Sequence, residues 1–164
     1  MAYDPNGAAA PVISPGEAKG QMTRLLDEFV KDTPGVTHTL LASTDGMKQV
    51  FCSHMDPDWT DKLAAAFAGL AGLAKGLTGP TDKSMSARQV LIERDDTLFL
   101  VTHAGTGSAF NTSGDTVATV LVVLVHTEAN IGTVAFSAGR LVQRFAPFMT
   151  TPVRAHDGQD NGGQ

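Results

Sequence analysis

Cysteine, tryptophan and tyrosine each occur once in these 164 residues. The lone Cys52 excludes an internal disulfide framework and fits a reducing compartment. Positive charge is also scarce: 12 Lys and Arg stand against 17 Asp and Glu, a net charge of -5. No basic stripe is left to neutralise phosphates, which argues against a nucleic-acid binder. The longest apolar run, Val117 to Val125, falls well short of the roughly 20 residues a membrane helix needs. The opening MAYDPNGAAAPVISPGE carries neither a basic n-region nor an apolar h-region, so it does not read as a secretory signal. A cytoplasmic chain is expected.

What is present is a soluble composition, with 42% hydrophobic and 18% charged residues. That is enough for one domain with a real core. The pattern divides the chain into a disordered lead at 1–13, a folded domain at 14–149 and a disordered tail at 150–164. Order begins at Ser14-Pro15-Gly16-Glu17, a capping-box pattern ahead of a helix with Met22, Leu25, Leu26, Phe29 and Val30 on one face. Pro34 and Gly35 stop it. Two strand-like runs, Val36–Ser43 and Met47–Ser53, flank Thr44-Asp45-Gly46, and an Asp-Gly between such runs signals a hairpin. A second hairpin pairs Ala87–Glu93 with Thr97–His103. Ala104–Thr116 reads as a long Gly/Ser/Thr-rich connection. Val117–His126 is continuously apolar and β-branched, hence a central strand buried on both faces. Asn130 caps a last helix with the stripe Ile131, Val134, Ala138, Leu141, Phe145 and Phe148.

Between the hairpins lies Asp56–Leu77, DPDWTDKLAAAFAGLAGLAKGL, a helix of unusual composition. Asp56 caps it, Pro57 suits its first turn, and Asp58 and Asp61 favour its positive end. Trp59, Leu63, Phe67, Leu70, Leu73 and Leu77 form one apolar stripe expected to face the core. Much of the remaining surface is Ala64, Ala65, Ala68, Gly69, Ala71, Gly72 and Gly76. An interior Gly costs about 1 kcal/mol relative to Ala in a helix, so Gly69 and Gly72 call for a reason. Close approach of another backbone supplies one, either within the domain or from a partner subunit.

The predicted order is helix, two strands, helix, three strands, helix. The expected fold is α+β, a five-stranded antiparallel sheet with the middle helix on one face and the terminal helices on the other. Strand five sits beside strand one in the centre, and the hairpins form the flanks.

Chemistry is sparse. Ala104-Gly105-Thr106-Gly107-Ser108 resembles the start of a dinucleotide loop, but Phe110 breaks the fingerprint and a strand follows. Cys52 and His54 alternate on one strand and are the sole candidate thiolate–imidazole pair, with no third orienting group. His38, His54, His103, His126 and His156 show no metal-ligand spacing. No cofactor, metal site or catalytic residue is expected, and the chain reads as a non-enzyme.

From about Glu17 to Phe148 the chain resembles the roadblock domain superfamily, in particular the small actinobacterial roadblock proteins of signalling operons. The resemblance rests on Pro34-Gly35-Val36 with His38, Ser43-Thr44-Asp45-Gly46, Asp61-Lys62-Leu63-Ala64-Ala65, Gly69-Leu70 and Leu73-Ala74-Lys75-Gly76. It continues through Gln89 with Ile92-Glu93, Leu98-Phe99-Leu100-Val101, and Asn130-Ile131-Gly132 leading to Arg140-Leu141-Val142. It implies an α-β-β-α-β-β-β-α fold and a dimer, with itself or a related roadblock chain, in which the middle helices pack and the third strands pair. The interface it implies comprises Ala65, Ala68, Gly69, Gly72, Leu73, Gly76, Gln89 and Leu91. It further implies an adaptor for a Ras-like small GTPase, including a role as GTPase-activating partner, with Asp58, Trp59, Lys62 and Lys75 as contact candidates. Two departures stand out: the connection at 104–116 is long, and Lys48 and Gln49 replace apolar residues after the turn. The alternative class is a small-ligand sensor, which requires a pocket between sheet and helix.

Overall fold

A computed structural model of the chain describes residues 13–83, 85, 87–107 and 117–149. The expected tail and, apart from Ile13, the expected lead lie outside the described residues.

Helix α1 (Pro15–Asp32) starts at the anticipated capping box. Ser14 Oγ accepts from the Glu17 N–H at 3.2 Å, and the Glu17 carboxylate accepts from the Ser14 N–H at 3.1 Å. Two amides at the helix start are thereby satisfied. Strands β1 (Val36–Ser43) and β2 (Lys48–Phe51) follow as a hairpin. Gly46 supplies the positive φ of 95° that its turn demands, and the Ser43 N–H donates to the Met47 carbonyl at 2.9 Å. Helix α2 (Pro57–Lys75) is capped by Asp56, whose carboxylate accepts from the Trp59 N–H at 2.8 Å. Strands β3 (Gln89–Glu93), β4 (Leu98–Gly107) and β5 (Val117–Val125) lead to helix α3 (Ile131–Met149). Asn130 caps α3 by accepting from the Thr133 N–H at 3.1 Å.

The fold class is as expected. The five strands run in the order β2-β1-β5-β4-β3, every neighbouring pair antiparallel. β5 is central and carries the fully buried Leu121, Val122, Val123 and Val125. α1 and α3 pack against each other on one face of the sheet, and α2 lies on the other.

Two expectations need correcting. Ala104 to Gly107 are not part of a loop: they extend β4, pairing Thr106 with Ala118 and Gly107 with Val117 beyond an irregularity after His103. Gly105, at φ 89°, gives the ladder the freedom to absorb that irregularity and resume. The remainder of that connection, 108–116, lies outside the described residues.

The second correction concerns how α2 is rotated about its axis. The residues it buries are Thr60, Ala64, Phe67, Ala68 and Ala74. Trp59, Leu63 and Leu70 are half-buried at its flank and Leu73 is 74% exposed, whereas Leu77, expected to be helical, lies past the helix end at Lys75 and is 70% exposed. The stripe follows three- and four-residue steps, but the alanine side lets the helix sit closest to the sheet, and that contact decides the rotation.

Candidate interaction surface

The outward face of α2 presents Asp58, Lys62, Ala65, Gly69, Gly72, Leu73 and Gly76, all exposed. A Cβ added at Gly69 or Gly72 would meet nothing within 4 Å. No contact among the described residues therefore explains either glycine. Ala68, expected on this face, is instead buried against the sheet side, near the Gly46 turn.

β3 is an edge strand bonded only to β4. Among the described residues its outer side has no strand partner, which makes it a template for another strand. The register assigns its side chains. Ile92 pairs with Phe99, whose ring lies 5.4 Å from that of Phe67 on α2, so Ile92 and Val90 face α2. Gln89 and Leu91 therefore point to the opposite face, where Leu91 is 50% exposed. Of the residues expected at an interface, Ala65, Gly69, Gly72, Leu73 and Gly76 thus share an exposed helix face, while Gln89 and Leu91 lie on the edge strand with their side chains on the sheet face away from α2.

The four contact candidates do not converge. Asp58 and Lys62 stand exposed on the first turns of α2, but Lys75 lies about 25 Å further along it. Trp59 is half-buried, with its indole edge-on to His38 at 5.2 Å between centroids. His38 and His54 lie 4.8 Å apart and share one residue. The Thr37 hydroxyl donates to the Leu124 carbonyl at 3.3 Å, so its oxygen accepts from His38 Nδ1 at 3.0 Å. His54 Nε2 donates to the Thr37 carbonyl at 2.9 Å. Burial, and secondarily the neighbouring His54, lower the pKa of His38.

That arrangement bears on the Cys52–His54 pair. His54 Nε2 carries a proton for Thr37 and is 3.9 Å from Cys52 Sγ, which makes it a poor base for the thiol. Cys52 is fully buried, and burial above all pushes its pKa up. A small buried hydrophobe fits these facts better than a nucleophile.

Sequence reasoning missed a cleft between the end of α2 and the start of β3. Its floor is apolar, formed by Ala71, Ala74, Val90, Val101 and Val120, and its rim carries Lys75, Arg88 and His103. Three basic side chains spread over residues 75 to 103 give no local signal; only the β3–β4 pairing gathers them. The space within is about 60 Å³, well below the 300–1,000 Å³ of a typical small-molecule pocket, so it gives the sensor reading no support. Among the described residues, no helix is long and apolar enough to cross a membrane, and no group of three His, Cys, Asp or Glu could hold a metal ion.

The family model described as Roadblock/LC7 domain matches residues 22–111, more than half of the chain. The chain belongs to the Roadblock/LC7 family. A Roadblock/LC7 domain from Streptomyces avermitilis is similar at 30% identity and a TM-score of 0.64, over 77% of this chain and 95% of that one. The fold is also that of the gliding protein MglB from Thermus thermophilus, at 17% identity and a TM-score of 0.65, over 87% of this chain and 98% of that one. Myxococcus xanthus MglB is similar at 17% identity and a TM-score of 0.61, over 77% of this chain and 93% of that one. No protein of curated function matches the chain significantly.

Proposed function

We propose that this Roadblock/LC7 protein is a non-enzymatic adaptor of a bacterial cytoplasmic signalling system. It dimerises through α2 and β3, and it binds and regulates a Ras-like small GTPase. The observation that carries the reading is the exposed small-residue face of α2, with Ala65, Gly69, Gly72, Leu73 and Gly76, alongside the free edge of β3. Packing α2 against its symmetry mate would cover Leu73 and give the two glycines a purpose, because backbones approach closely where side chains are smallest. Pairing the β3 edges in the same dimer would join two five-stranded sheets into one of ten strands and remove an exposed edge. The partner for this face is a second copy or a related roadblock chain.

The GTPase is assigned to the first turns of α2, where Asp58 and Lys62 are free to make polar contacts around the partly exposed Trp59. Lys75 belongs to the cleft instead. Regulation would act through the GTPase's own hydrolytic groups, in keeping with the burial of Cys52, which pushes its pKa up.

The test is capture by tagged dimer in GDP and in a non-hydrolysable GTP analogue, followed by single-turnover hydrolysis with the GTPase recovered. Retention mainly with the analogue and a changed hydrolysis rate are expected. Recovery of no Ras-like GTPase in either nucleotide, or an unchanged rate with the recovered one, would overturn the regulatory reading.

A further inference from the structure

The cleft between α2 and β3 stands out electrostatically. Its rim gathers Lys75, Arg88 and His103 in a chain of net charge -5, and among the described residues no Asp or Glu lines it. Neither Lys75 nor Arg88 takes part in an ion pair among the described residues. His103 Nδ1 accepts from the Gly105 N–H at 3.1 Å, which leaves its other ring nitrogen as a donor. The chamber holds little more than a carboxylate head on a short stem, and its apolar floor suits such a stem.

The opposite end of β3 carries the reverse charge. The strand ends on Glu93 and its turn into β4 contains Asp95 and Asp96, all exposed. The one cation there, Arg94, is already engaged by Asp96, with Nε 3.1 Å from the carboxylate. The strand thus runs from a basic cleft at Arg88 to an acidic turn at Asp96.

We infer that the acidic β3–β4 turn of a second copy seats against the basic cleft of the first. The inference rests on the dimer proposed above, in which two β3 edges pair. Two-fold pairing of one edge with itself is antiparallel, so the end of each strand lies beside the start of the other. β3 has five residues, about 17 Å, so a two-fold axis anywhere near its middle places each acidic turn by the other chain's cleft. The contact forms twice per dimer. It sits at the rim of the helix–strand interface, where opposed charges set register and partner choice. Edge pairing alone would accept any exposed strand; the two charged ends admit this one in one direction only.

Complementary charge reversal tests this. One variant carries Lys75→Glu and Arg88→Glu; the other carries Asp95→Lys and Asp96→Lys. Each homodimer then opposes like charges at both contacts and should weaken about tenfold or more by analytical ultracentrifugation. Mixed together, the two variants restore opposite charges at both contacts, so the heterodimer should form almost exclusively over the statistical one-half. Wild-type dissociation should also rise several-fold between low and high salt. A statistical mixture from variants that still dimerise would overturn the charged contact and leave the dimer standing. A monomeric wild-type chain would overturn the dimer and the contact with it. If either variant fails to fold, the neutral pair Arg88→Gln and Asp95→Asn replaces it in a double-mutant cycle, where zero coupling refutes the contact.

Discussion

His38 and His54 sit with ring centroids 4.8 Å apart, both bonded to Thr37, one at its hydroxyl and one at its carbonyl. The His38 bond is to its neighbour in sequence, whereas His54 lies 17 residues from Thr37, beyond the β1–β2 hairpin. The pair fastens the segment before α2 onto β1, and Trp59 closes over it.

Acid should loosen this fastening. Burial lowers the pKa of His38 in the fold from its ordinary 6.5, with His54 adding to the effect. The unfolded chain therefore takes up a proton that the native state refuses, so the stability present above pH 6.5 falls as pH drops toward the lowered value. The carboxylate of Asp27 is engaged by the Ser53 N–H and that of Asp56 by the Trp59 N–H as the α2 cap. The single tryptophan, Trp59, reports the event. Melting followed by its fluorescence should show a midpoint that declines from pH 7.5 to pH 5, and His38→Gln should flatten that slope. An unaltered slope in the variant would remove His38 as the cause.

Gly72→Leu should leave the fold of the isolated chain intact, because its Cβ would meet nothing within 4 Å. If α2 packs against a partner helix, the added bulk should shift the chain to monomer in sedimentation. Gly72→Ala should raise the intrinsic stability by about 0.5–1 kcal/mol through helix propensity. Unchanged dimer affinity in the leucine variant would rule out the helix-to-helix geometry.

Gly35→Ala should be severe. Gly35 has φ 87°, and a Cβ there would lie 2.3 Å from the Ala129 Cβ. The site joins the end of α1 to the segment before α3, with the Gly35 carbonyl accepting from the His126 N–H at 2.8 Å. A loss of about 2–4 kcal/mol in urea unfolding is expected, from strain and overpacking together. A loss below about 1 kcal/mol would mean that Ala129 gives way freely.

Phe67→Ala should cost about 3–5 kcal/mol, the usual range for emptying a buried aromatic site. Phe67 is 4% exposed and its ring packs 5.4 Å from Phe99 of β4, so it is the main anchor of α2 on the sheet. Ala65→Ser on the same helix should change chain stability by less than about 0.5 kcal/mol, since Ala65 is exposed. The contrast can be read from the two denaturation midpoints.

Much of this architecture was legible because its determinants are local. Ser14 with Glu17, Asp56 with Pro57, Asn130 and the Asp45-Gly46 turn each act within a few residues, so the starts of all three helices and the first hairpin follow from neighbours in sequence. The β-branched run at 117–125 announced a central strand, and a strand there with two hairpins leaves few ways to order the sheet. The extension of β4 to Gly107 was not legible. Gly105 and Gly107 read locally as a connection, and only the long-range partners Val117 and Ala118 hold that segment in the ladder.

Interactions between near neighbours in the chain set the element order, the caps and turns, and the presence of a helix with too little bulk to be ordinary. Tertiary structure decided which side of that helix stays open. Its apolar stripe and its alanine side are both acceptable to a core, and close packing seated Ala64, Ala68 and Ala74 with Phe67 against the sheet, which turned Leu73 outward. Tertiary structure also gathered Lys75, Arg88 and His103 around one cleft and set His38 against His54. Those juxtapositions depend on strand register, which is a sum over many weak pairings along the sheet and is encoded in no single stretch of the chain.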